Sequence, residues 1–173
     1  VNISVAYGSD IDQVRVILMG IASSSKDICS DPLPRVRFRE FGDSALIFQL
    51  LFWIEKPEMR GRVVDNVNSR IYDKFRDAII KETNALKVGN PKDIDNNLGA
   101  VVSKPHMEKI LSCIEQAKQE GGEILTGGKR VFLDGELKNG YYIKPTIIDG
   151  LSADSQTNKE EIFGPVVSMI PFK

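Results

Sequence analysis

The sequence predicts a mixed fold, α/β in content and α+β in order, on three observations. Short stretches with an apolar residue at every second position alternate with longer ones whose apolar residues recur every three or four, the patterns of half-buried strands and amphipathic helices. Clusters of Gly, Pro, Asn and Asp separate them. The 173 residues are 42% hydrophobic and 27% charged, which suits a chain that buries a core. With 23 basic and 24 acidic side chains the net charge is −1, so nothing draws the chain to nucleic acid or to an acidic lipid surface. The longest apolar stretch, residues 45–54, is far shorter than the roughly 20 residues a membrane-spanning helix needs. The opening VNISVAYGSD lacks the basic end and apolar centre of a secretory leader. Two cysteines, Cys29 and Cys113, and one histidine, His106, form neither a disulfide framework nor a metal cluster. These features predict a soluble, intracellular chain with no membrane insertion.

The first half reads as β-α-β-β-α. Residues 1–7 alternate, with Val1, Ile3, Val5 and Tyr7 on one side. Asp10, three residues before Gln13, matches a capping box, and the helix it opens places Val14, Ile17, Leu18 and Ile21 on one face. Pro32 and Pro34 make residues 31–34 a loop. Residues 35–41 alternate again, Val36 and Phe38 against Arg35, Arg37 and Arg39. Gly42-Asp43 is a tight turn. The apolar run 45–55 predicts a central strand buried on both faces. Pro57 opens a helix at a position where its missing N–H costs nothing, with Val64, Val67, Ile71, Phe75 and Ala78 as its buried stripe. This order is a ferredoxin-like unit without its last strand. The arginine row offers an anion or partner site, or simply a solvated face whose stems cover the sheet.

The second half alternates helix and strand. The helical pattern continues to Lys87 and stops at Val88-Gly89-Asn90-Pro91. Ser103 caps a new helix with Pro105 in its first turn and Met107, Ile110, Ile114 and Ala117 as its apolar face. Gly121-Gly122 ends it. Residues 123–126 are a short strand, Gly127-Gly128, Asp134-Gly135 and Asn139-Gly140 are turns, residues 141–148 are a strand interrupted by Pro145, and residues 166–171 are the last strand.

Two resemblances lie on these residues. "VAYGSDIDQVRVIL" and "DPLPRVRFREFGDSALIFQLLFWIEKPEMRGRVVDNVNSRIYDKF" resemble the carboxy-terminal domain of small-conductance mechanosensitive channels, over residues 1–78. The resemblance implies a cytoplasmic domain that oligomerises into a cage beyond the membrane helices. From about Ser69 the chain is similar to aldehyde dehydrogenases, through "IYDKFRDAIIKETNALKVGNP", "LGAVVSKPHMEKILSCIEQAKQEGGEILTGGKR", "NGYYIKPTII" and "EEIFGPVVSMIPF". That resemblance implies that Glu161 hydrogen-bonds a nicotinamide ribose and that Phe163 packs beside the nicotinamide. A carboxylate suits the two ribose hydroxyls and an aromatic face suits a flat ring. In an isolated segment the same residues also read as a turn feeding a buried strand, because one ribose contact gives little affinity against the entropy of binding.

The expected division is 1–78 and 79–173, joined through a shared helix. Thiol-based aldehyde oxidation needs a nucleophile, a base, an oxyanion donor and a bound nicotinamide. The resemblance places the nucleophile, the base and the main dinucleotide site before the point where it begins. Cys113, near the apolar face of its helix, reads as a small core residue. The flanking Asp27 and Asp31 disfavour a thiolate at Cys29. His106 reads as a surface residue with no partner. No catalytic residue and no metal site is expected, and no cofactor beyond NAD as a weak, vestigial ligand of Glu161 and Phe163. The expected function is that of a hybrid of two partial domains, natural or engineered, without catalytic or channel activity, whose property is folding or self-association through a free sheet edge. Its alternatives are a partial NAD-binding fragment acting with another chain, and an oligomerising module. For the edge left by the missing fourth strand three outcomes are open: a strand of the second half fills it in one mixed sheet, two lobes form, or a second copy pairs there.

Overall fold

Every element of the first half forms in the expected order in the computed structural model, which describes residues 1–170. The chain divides into two compact units, one spanning Val1–Arg76 and the other beginning at Asp77.

In the first unit, β1 (Asn2–Val5), α1 (Ile11–Ser23), β2 (Arg35–Phe41) and β3 (Leu46–Leu51) lead through a 3-10 turn at Pro57–Met59 into α2 (Arg60–Ala85). The sheet order is β1-β3-β2, antiparallel throughout, so β3 is central as expected. It is not buried on both faces. Leu46, Phe48 and Leu50 are buried, whereas Ile47, Gln49 and Leu51 are half-exposed, because helices cover one side of the sheet only and Gln49 instead meets Asn2 across the strands at 3.2 Å. Val1 and Leu50 exchange backbone hydrogen bonds at 2.8 Å in both directions. By antiparallel alternation Ile3 and Val5 also face the ladder, and Asn2 and Ser4 turn their N–H and C=O groups to the outer edge. Among the described residues no strand pairs with that edge.

Local chemistry sets the helix ends. The Asp10 carboxylate accepts from the N–H groups of Asp12 and Gln13 at 2.9 and 3.0 Å, the Asp10 half of the expected capping box. At the other end of α1, the Arg70 guanidinium donates to Ile21 O at 2.9 Å and to Ser24 Oγ at 2.6 Å, a cation placed where the helix dipole is negative. The buried face of α1 is Leu18, Ile21 and Ala22, with Val14 half-buried; Ile17 turns toward solvent. The stripe of α2 also departs from expectation. Val63 and Val67 are buried and Ile71 packs beside them, but Phe75 and Ala78 are exposed. At 3.6 residues per turn Phe75 stands about 80° around the helix from Val67, off the sheet, whereas Ala78 returns to the face of Val67 but lies beyond Arg76, where the first unit ends.

The second unit contains the end of α2, then α3 (Lys104–Gln119), β4 (Glu123–Thr126), β5 (Arg130–Val131), β6 (Tyr142–Ile143), β7 (Thr146–Asp149), α4 (Gln156–Lys159) and β8 (Val166–Ser168). Pro145 divides the expected 141–148 strand into β6, which pairs β5, and β7, which pairs β4 antiparallel and β8 in parallel. These strands form their own sheets, one of them mixed, and none fills the edge of β1. The expected face of α3 is confirmed at Met107, Ile110, Ile114 and Ala117, all buried. Residue 171, the expected end of the last strand, lies outside the described residues. The short α4 was not expected. Its Thr157 N–H donates to Glu120 at 3.1 Å, and the Gln116 amide donates to the same carboxylate at 2.8 Å; these bonds, that of Gln116 foremost, hold the Glu120 carboxyl below the usual range.

Candidate functional site: the Glu161–Pro165 segment on helix α3

The first turn of α3 creates the seat. Ser103 Oγ accepts from His106 N–H at 3.3 Å, and Pro105 occupies a position where no N–H is required. His106 therefore stands on the first turn with Ile110 one turn further along the same face. His106 was expected to be a surface residue without a partner; it is half-buried and its Nε2–H donates to the carbonyl of Phe163 at 2.8 Å. A carbonyl only accepts, so Nε2 carries the hydrogen in this bond. The two rings meet edge to face with centroids 5.9 Å apart.

Residues 161–165 are tied down one after another. Ile162 packs on the cluster of Met107, Ile110, Ile114 and Ile143. Gly164 lies so close to Ile110 that a Cβ there would come within 2.7 Å of its Cδ1. The carbonyl of Pro165 accepts from Thr146 N–H at 2.8 Å, and β8 then runs beside β7 with Thr146 opposite Val166. Between these anchors Phe163 has φ of 50°, a region that bulky residues rarely enter. Phe163 is 74% exposed and Glu161 is exposed as well. An exposed carboxylate and an exposed aromatic residue thus flank a half-buried isoleucine. Such a surface offers two strong acceptors and one apolar face.

The other candidates lie elsewhere. Cys113 is half-buried on α3 rather than in the core, seven residues beyond His106. Cys29 lines a cleft of about 240 Å³ in the first unit with Lys26, Asp27, Glu55 and Lys56 among its neighbours. Lys26 and Asp27 are sequence neighbours of Cys29; the fold adds Glu55 and Lys56 from the segment after β3. Arg35, Arg37 and Arg39 are exposed. Arg35 lies over the Trp53 ring at 5.7 Å, and an irregularity in the ladder falls between Phe38 and Glu40. Among the described residues no group of His, Cys, Asp and Glu could hold a metal, and no helix is long and apolar enough to cross a membrane.

Comparison with known proteins divides the chain in a similar way. A model of the C-terminal region of the mechanosensitive ion channel MscS matches residues 1–81, and one of the aldehyde dehydrogenase family matches residues 62–173. The two matches overlap within α2. A 4-trimethylaminobutyraldehyde dehydrogenase A of Danio rerio is 47% identical over 107 residues, 61% of this chain and 21% of the relative. An aldehyde dehydrogenase of Paracoccus denitrificans is 42% identical over 137 residues, 78% of this chain and 26% of the relative. Among solved structures, a betaine aldehyde dehydrogenase of Staphylococcus aureus in complex with NAD+ is 41% identical, with a TM-score of 0.56 over 60% of this chain and 20% of that one. The chain thus spans about a fifth to a quarter of the length of these relatives. By the breadth of its match over residues 62–173 the chain belongs to the aldehyde dehydrogenase family, and it carries ahead of that portion a segment matching the MscS C-terminal domain.

Proposed function

We propose that this chain is a hybrid of two partial domains without aldehyde-oxidising or ion-conducting activity of its own, and that its dehydrogenase portion retains one wall of a nicotinamide-ribose site at Glu161 and Phe163. The observation that carries the reading is the seat of 161–165 on α3, which leaves the carboxylate and the ring facing outward. These groups fit the cofactor: two carboxylate oxygens match a vicinal diol and the phenyl face matches a flat ring. The Staphylococcus aureus relative is seen in complex with NAD+. The match to a fifth or so of such relatives supports the non-catalytic part, as does the engagement of His106 with a backbone carbonyl. A bound NAD would supply the hydride acceptor; the chain's own residues would orient its nicotinamide end. Affinity is weak, because a single ribose contact offsets little of the entropy of binding.

The purified chain with NAD and a short aliphatic aldehyde is expected to form no NADH above the protein-free rate. Turnover that disappears in Cys113→Ser would overturn the reading.

The unpaired outer edge of β1 favours a second property, self-association of the first unit in a cytoplasmic setting. Asn2 and Ser4 present donors and acceptors that a second copy can pair. Ser4→Pro removes one outward N–H and leaves the bonds to β3 in place. Sedimentation is expected to show concentration-dependent association of the wild type, weakened about tenfold in Ser4→Pro. A wild type that stays monomeric at high concentration excludes this property.

A further inference from the structure

We propose that His106 is a positioning residue whose imidazole holds the Phe163 backbone in its left-handed conformation and thereby presents the Phe163 ring and the Glu161 carboxylate. The proposal deepens the cofactor-wall reading and rests on it for its purpose, not for its geometry.

The argument begins with an imbalance. A phenylalanine at φ of 50° is in a conformation its Cβ disfavours. Burial does not offset this, since Phe163 is 74% exposed. The neighbours fix where the segment runs: Ile162 in the apolar cluster, Gly164 against Ile110, Pro165 O on Thr146 N–H. None of these contacts is a hydrogen bond to the Phe163 backbone. The His106 Nε2–H makes one, at 2.8 Å from the Phe163 carbonyl oxygen, and the imidazole also meets the phenyl edge to face. One side chain thus grips both the backbone and the ring of the residue that is strained. It can do so because the Ser103 cap fixes the first turn of α3, and because Ile110, one turn on, receives Gly164. Seat and latch are two positions of one helix face.

The test separates the hydrogen bond from the ring. His106→Gln keeps an N–H donor the same number of bonds from the backbone and loses the imidazole. His106→Phe keeps a ring and loses the donor, and His106→Ala loses both without added bulk. In the full chain, the HN–Hα coupling and backbone carbon shifts of Phe163 report its φ, and an NAD titration followed on residues 160–166 reports the wall. The left-handed signature is expected to persist in His106→Gln and to vanish in His106→Phe and His106→Ala while thermal unfolding stays cooperative. NAD affinity is expected to fall about tenfold in the latter two, the scale of one lost hydrogen bond. An unchanged Phe163 signature in His106→Ala overturns the proposal, even if all variants bind NAD and the cofactor reading stands. Loss of the signature with no NAD binding by any variant, wild type included, sustains the latch and removes the cofactor reading.

Discussion

Phe48→Ala is expected to destabilise the first unit by about 3–5 kcal/mol, the range for emptying the site of a large buried aromatic. Phe48 is at the centre of β3 with no exposed surface. It is paired with Ile3 on one side and Phe38 on the other, and its ring lies 5.1 Å from that of Phe38. Leu18 and Leu46 complete the cluster. The sheet is covered on one side, so this cluster and that around Leu50 and Val67 hold the unit together. Ile3 and Val36 pack against both clusters, so a void at Phe48 weakens both. The chain has a single tryptophan, Trp53, just beyond β3, so its fluorescence reports this unit. Urea unfolding followed on Trp53 should show a lower midpoint with an unchanged slope. A loss below about 1 kcal/mol would mean that the face is not close-packed.

Gly127→Ala is expected to cost the second unit about 3 kcal/mol or more, through two effects that add. Gly127 has φ of 80°, and a Cβ there would lie 2.2 Å from Pro145 O and 2.6 Å from Thr146 Oγ1. The obstructing atoms cannot swing aside. The Thr146 hydroxyl accepts from Gly128 N–H and donates to Lys144 O, both at 2.8 Å, and Thr146 N–H holds Pro165. Relieving the clash therefore shifts the start of β7 and loosens the 161–165 segment. Gly135→Ala is the control. Its φ is 63° but nothing lies within 4 Å of the added carbon, so it loses only the left-handed preference, about 1 kcal/mol. Thermal melts of both variants by circular dichroism separate the steric from the conformational part. Equal losses would show that β7 yields to the added methyl.

Residues whose partners are close in sequence were the readable ones. The face of α3 followed from spacing alone, and so did the Asp10 cap and the break at Pro145. The apolar run 45–55 overstates the burial of its strand. An apolar run reports aversion to water and says nothing of which face is covered; Gln49 was the local sign that one side is open. Phe75 fitted the stripe of α2 only while helical drift was ignored. Of the site, Glu161 and Phe163 were picked out by their motif, whereas His106 was not, because its partner lies 57 residues away. Nothing local marks a left-handed Phe163 beyond the Gly164-Pro165 pair that follows it.

The two margins of the first unit's sheet differ in a way that bears on how such a fold can be enlarged. On the β2 side a row of guanidinium groups and an irregular ladder discourage any newcomer. On the β1 side only small uncharged side chains stand beside the open peptide groups. Accretion of a further strand, whether by gene fusion or by lengthening of the same polypeptide, can thus proceed in one direction without disturbing a single interior side chain.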